Sequence, residues 1–134
     1  MRNKSLIILG CLPLGGLAIA ETPEAILHGY AVELGQQPAE PRELSPLQGE
    51  RLFNRPQGGE WSCSSCHTQD PRTMGRHATT GKPIAPLAPV ANRERFTDPG
   101  KVEKWFKRNC NDVLGRPCSV REKGDILAYL LSVR

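Results

Sequence analysis

A chain of 134 residues has room for one domain with a modest core and too little for a second. Aromatic residues make up 5%, so a bound apolar group would supply core volume that the side chains lack, and twelve Pro with thirteen Gly favour loops and short helices over an extended sheet. The formal net charge of +4 is halved if the basic residues Arg2 and Lys4 leave with a cleaved leader, which is too little to point to nucleic acid.

Residues 1–20 read as that leader. Arg2 and Lys4 form a basic start, Leu6 to Leu17 an apolar stretch broken by Pro13 and Gly15-Gly16, and Ala18-Ile19-Ala20 a small-residue cleavage site. The apolar stretch is shorter than the roughly 20 residues a membrane span needs. A lipoprotein signal ending at Cys11 would leave too short a hydrophobic segment. The expectation is cleavage after Ala20, export to the periplasm, and a single domain over 21–134 that is not an integral membrane protein. Cys11 then departs, and Cys63, Cys66, Cys110 and Cys118 remain. An even number in an oxidising compartment implies that all are committed.

A first helix is expected from about Pro23 to Leu34, capped by Thr22, with Ile26, Leu27, Tyr30 and Leu34 on one stripe. Gly35 to Glu43 reads as a polar connection. A second helix opens at Ser45, which has capping-box spacing to Gln48 and is followed by Pro46. It carries Leu52 and Phe53 and breaks near Pro56 and Gly58-Gly59. From His67 to Arg95 the chain is loop, punctuated by Pro71, Gly75, Gly81, Pro83, Pro86 and Pro89. A third helix starts around Asp98 and Pro99 and runs to about Asn109. A fourth starts with the Ser119–Glu122 capping box and carries Ile126, Leu127, Leu130 and Leu131. No stretch alternates with strand period, so the chain reads as all-α with long loops that need something to wrap around.

Cys63-Ser64-Ser65-Cys66-His67 carries the chemistry. Thiols three residues apart on one helical turn can each add to a haem vinyl group, and the adjacent His can offer its imidazole to the iron. A redox dithiol would sit at a strand-to-helix turn in a βαβ setting, which the pattern lacks. A zinc site would need a second ligand pair, and Cys110 and Cys118 are poorly spaced for one. The motif implies one covalently bound haem c on Cys63 and Cys66, with His67 as the proximal iron ligand.

Gly49-Glu50-Arg51-Leu52-Phe53 and Ile126-Leu127-Ala128-Tyr129-Leu130 resemble the crossed terminal helices of class I cytochromes c. Gly81-Lys82-Pro83-Ile84-Ala85-Pro86-Leu87-Ala88-Pro89, Arg95-Phe96-Thr97-Asp98, Lys101-Val102-Glu103-Lys104-Trp105 and Asn109-Cys110-Asn111 are similar to a narrower family, that of the sphaeroides haem protein and cytochrome c double-prime. The resemblance implies a class I fold with an additional N-terminal helix around one haem, and a sixth iron ligand that leaves on reduction. It also implies electron donors that are themselves cytochromes, a dihaem c-type and a membrane b-type.

An ordinary class I cytochrome takes its sixth ligand from a Met well downstream of the motif, and here there is none. Beyond the leader the only Met is Met74, too close to His67 to round the haem edge. Asn109 follows Val102, Trp105 and Phe106 on one helical face. The resemblance makes its counterpart the iron ligand in the sphaeroides haem protein and a His in cytochrome c double-prime. The alternatives are that Asn109 only caps the helix end, or that His77 or His28 takes the site. Cys110 and Cys118 are expected to form a disulfide, as this family pairs them, and so to limit the swing of the helix end beside Asn109. Arg76, Lys82, Arg93, Arg95 and Lys101 lie in the surrounding loops, and the sequence does not choose among them as propionate partners. The implied function is binding of O2, NO or CO at ferrous haem once Asn109 has left. The rival is a plain electron shuttle whose sixth position never opens. A peroxidase- or dioxygenase-like enzyme would need a distal acid–base residue, and none is identifiable.

Overall fold

The longer helices begin where a hydroxyl or carboxylate can take up a backbone N–H that the helix itself cannot satisfy. In the computed structural model, which describes residues 20–39, 41 and 43–134, Thr22 accepts from the N–H of Ala25 and opens α1 (Pro23–Gly35). Ser45 does the same for Gln48 at the start of α2 (Pro46–Asn54). A single turn, α3 (Ser64–His67), follows, and then a two-residue antiparallel pair, β1 (Gly75–Arg76) with β2 (Pro83–Ile84). Asp98 accepts from Lys101 and opens α4 (Pro99–Leu114). A reciprocal Ser119–Glu122 capping box opens α5 (Val120–Ser132). The fold is all-α in its substance. The leader expected over 1–20 falls almost wholly outside the described residues.

Two expectations need correction. The third long helix does not stop near Asn109; it continues to Leu114 and ends at Gly115, whose φ of 67° places it in the left-handed region. Asn111 and Asp112 are weak helix formers but not breakers, and the stop comes from Gly115 with Pro117 after it. The β1–β2 pair was not expected, because two residues are too few to display strand periodicity.

The core gathers on α5. Leu127 packs with Ile26, Tyr30 and Val102, while Ile126, Tyr129 and Leu130 enclose Phe53. The crossing of α2 on α5 requires Gly49, since a Cβ there would run into the backbone carbonyl of Asp125. A polar knot ties α1, α4 and α5: Tyr30 Oη donates to Glu103 at 2.6 Å, and Lys123 Nζ reaches the same carboxylate at 2.9 Å. Among the described residues no helix is long and apolar enough to cross a membrane.

Candidate functional site

The cysteine motif folds as one turn braced by serines. The N–H of Ser62 donates to Ser65 Oγ at 2.9 Å, and the N–H of His67 donates to the Cys63 carbonyl at 3.0 Å. Cys63, Cys66 and His67 therefore share one side of a short helical segment. Thr68 ends the turn at φ 63°, a conformation costly for a β-branched residue, and its hydroxyl donates to the Asp70 carbonyl at 2.6 Å. The returning strand touches the turn: a Cβ at Gly75 would strike the Cys66 carbonyl, and the Ala78 N–H donates to Cys66 Sγ at 3.3 Å.

Burial, reinforced by the charge of Arg95, pushes the His67 imidazole down to about 4. Near neutral pH the ring is uncharged, with a nitrogen lone pair free for a metal. Its ring lies 6.4 Å from that of Phe53. Burial likewise pushes the Cys63 thiol up to about 11. Cys110 and Cys118 are joined to each other with Cα atoms 5.6 Å apart. No second thiol pair is left to complete a zinc site with Cys63 and Cys66.

Beside this turn lie cavities of about 390 Å³ and 620 Å³ that share walls at Cys63, Arg95, Trp105, Asn109 and Val113. The smaller is mostly apolar, lined by Leu52, Phe53, Phe96, Phe106 and Ile126 among others. The larger opens onto Cys66, His67 and His77. Phe96, which borders the smaller cavity, also holds a positive φ, of 58°. Two thiols on one turn, a neutral imidazole and an adjoining apolar cleft have the chemistry of a haem c site; the residues present fit the group.

The face of α4 expected from the sequence does line the cleft: Val102, Trp105, Phe106 and Asn109 all border the smaller cavity. Asn109 lies within α4 and not at its end, so it caps nothing. Its partly buried amide, bordering both cavities, makes no hydrogen bond to another described residue. His77 also borders the larger cavity, but its Nδ1 accepts the N–H groups of Thr79 and Thr80 at 3.3 Å and 3.2 Å. Its own turn thus engages that nitrogen. Met74 and His28 are exposed and border neither cavity.

Of the five cations expected in the loops, Lys101 lies instead in the first turn of α4; Arg95 borders both cavities, Lys101 the smaller and Lys82 the larger, while Arg76 and Arg93 border neither. Sequence reasoning missed Arg108, which lies over the half-exposed Trp105 at 5.6 Å, and Asp112 and Val113, which border the larger cavity. The last two were missed because the helix was expected to stop before them; a stop placed at Gly115 would have included them.

A family model described as a domain of unknown function, DUF1924, matches residues 39–130. Cytochrome c'' of Methylophilus methylotrophus is 39% identical over 98% of this chain and 96% of its own length. The cytochrome c-type protein SHP of Cereibacter sphaeroides is 42% identical over 96% of this chain and 97% of its own. The crystal structure of oxidised cytochrome c'' superposes with a TM-score of 0.73, covering 84% of this chain and 94% of that one at 41% identity. A structure described as oxidised SHP, an oxygen-binding cytochrome c, superposes at 0.70 with 42% identity, covering 83% and 96%.

Proposed function

Since this chain belongs to the cytochrome c family that contains cytochrome c'' and SHP, and carries one haem c, we propose that it is a gas-binding cytochrome whose weak sixth ligand, Asn109, yields on reduction. The carrying observation is the unpartnered amide of Asn109, on a helix face otherwise apolar, bordering both halves of the cleft. That amide is not sealed inside the protein and reaches the cleft, so it is free to meet a group that enters there.

The residues divide the work. Cys63 and Cys66 would hold the haem covalently, each through a thioether to a former vinyl group. His67 supplies a neutral imidazole as the permanent ligand. Asn109 supplies a neutral, hard amide oxygen, which suits ferric iron and serves the softer ferrous ion poorly. Bound haem supplies an iron that cycles between these states and takes O2, NO or CO where a position is open. Because Asn109 sits inside α4, one residue before the Cys110–Cys118 bond, its departure would need a side-chain rotation and not fraying of the helix. The apolar wall of Val102, Phe106 and Ile126 then offers a dry space for a small uncharged ligand. Electrons would come from partner cytochromes, a dihaem c-type and a membrane b-type, in the periplasm after leader cleavage.

The test is optical. Pyridine haemochrome spectra should show both vinyls saturated, and the reduced wild type should be five-coordinate high-spin. Asn109→Ala is high-spin already in the ferric state with ferrous CO binding little changed, Asn109→His is firmly low-spin when ferric, and His77→Ala matches the wild type. A reduced wild type that is six-coordinate and low-spin makes the protein a simple electron shuttle. Loss of the low-spin ferric signal in His77→Ala, with its retention in Asn109→Ala, overturns the ligand assignment.

A further inference from the structure

Five residues wall both cavities: Cys63, Arg95, Trp105, Asn109 and Val113. Cys63 and Asn109 already have roles, and Val113 is partly buried. Arg95, also partly buried, is held by the Pro86 and Ala85 carbonyls at 2.9 Å and 2.7 Å. Trp105 differs from all of these. It alone in the set is exposed, at 50%, while the same side chain borders both cavities. One indole therefore stands between the cleft and the outside.

The ring is loosely kept there. Among the described residues the indole N–H makes no hydrogen bond, and the ring is covered by the guanidinium of Arg108 at 5.6 Å. Arg108 is itself exposed and joins no carboxylate among the described residues. A cation over an exposed ring is a weak tie, readily broken and remade. Trp105 also lies four residues before Asn109, on the same helical face. Helical side chains lean toward the N-terminal end, so the amide of Asn109 extends over the turn that carries the indole.

We propose that Trp105 is the door through which a diatomic ligand reaches the cleft, and that Arg108 is its latch. This rests on the reading above, in which haem occupies the cleft and Asn109 yields on reduction. Asn109 decides whether a coordination position is open; Trp105 decides how fast, and for what size of ligand. A small swing of the ring admits two atoms, and a bulkier ligand needs a larger one. A door changes the barrier equally in both directions, so it moves association and dissociation by one factor and leaves affinity unchanged. A residue that touches the bound ligand moves the affinity instead.

Flash photolysis and ligand displacement on the ferrous CO complex of the holoprotein read the two steps separately. Arg108→Gln, which removes the stack and leaves the ring, raises both rate constants by about two- to fivefold. Trp105→Ala raises both by a larger common factor and Trp105→Phe by one in between, with the CO affinity of all three variants at the wild-type value. Ethyl isocyanide, a bulkier ligand of ferrous haem, gains more speed from Trp105→Ala than CO does. Lys104→Gln, exposed on the same helix and bordering neither cavity, matches the wild type. If Trp105→Ala gives too little holoprotein, Trp105→Phe and Arg108→Gln carry the comparison. CO rates unchanged in the Trp105 variants overturn the door, and rates unchanged in Arg108→Gln overturn the latch. A CO affinity altered through dissociation alone makes Trp105 a contact of the bound ligand and also overturns the proposal. Failure of the haem or Asn109 reading registers separately, in the wild-type haemochrome and reduced spin state before any variant is made.

Discussion

Helices α4 and α5 are neighbours in the chain, joined by a short turn and by the Cys110–Cys118 bond, yet they use their apolar faces differently. On α5 every residue from Gly124 to Leu130 is buried, enclosed by α1 and α2. On α4, although longer, the buried residues are Val102 and Cys110, and Trp105, Phe106, Asn109 and Val113 border the cleft instead. α5 finds its packing partner in protein, whereas the face of α4 fits a cofactor. Stability should therefore reside in the frame of α1, α2 and α5, and ligand exchange in the wall formed by α4. That division lets one side chain move without loosening the core.

The largest expected effect tests the frame against the wall. Leu127 is fully buried, and Leu127→Ala should cost about 3 kcal/mol through lost burial and the cavity left behind. Val113→Ala, on the partly open wall, should cost about 1 kcal/mol. Urea unfolding of the two holoproteins compares them, and equal losses would erase the distinction.

Next in size is the bond that anchors the wall. Reduction of Cys110–Cys118 reopens a short loop and should lower stability by about 2–3 kcal/mol. Because Asn109 is the preceding residue, the ferric haem should also become partly high-spin. A stability loss with an unchanged ferric spectrum, after thiol release is confirmed, would show that α4 holds Asn109 without the bond.

The smallest effect concerns the knot between the two regions. Partial burial pushes the Glu103 carboxyl up, but the hydrogen bonds from Lys123 and Tyr30, with the charge of Lys123, outweigh it and hold the pKa below the usual range. A depressed folded pKa stabilises above the unfolded value of about 4.3, and the gain is lost as pH falls through the folded value. The carboxylate is about half exposed, so wild type should exceed Glu103→Gln by at most about 1 kcal/mol at neutral pH. The gap should close in acid. A gap that persists there would make the contribution one of shape and not of charge.

Much of this was legible in the chain because it is written locally. Thr22, Ser45, Asp98 and Ser119 each announce a helix within three residues, since a cap and the N–H it satisfies are neighbours. The cysteine motif and its His lie on one turn for the same reason, and the helical spacing of Val102, Trp105, Phe106 and Asn109 defined a face before any packing was known. The end of α4 was placed too early, near Asn109, while the real stop is a left-handed Gly115 beyond it. The short β1–β2 pair left no pattern to read.

The choice among the five cations lay beyond the sequence. Arg95 is distinguished by carbonyls at Ala85 and Pro86 and by the missing carboxylate around it, and both follow from how a proline-rich loop folds back on the cleft. The turn that engages His77 Nδ1 is likewise a feature of the folded loop. The kind of chemistry, covalent haem on a helical scaffold, is encoded in residues a few positions apart. Which side chains face that chemistry, and which are left without a partner, depends on segments brought together from across the chain, and desolvation on that scale has no signature in a short stretch of sequence.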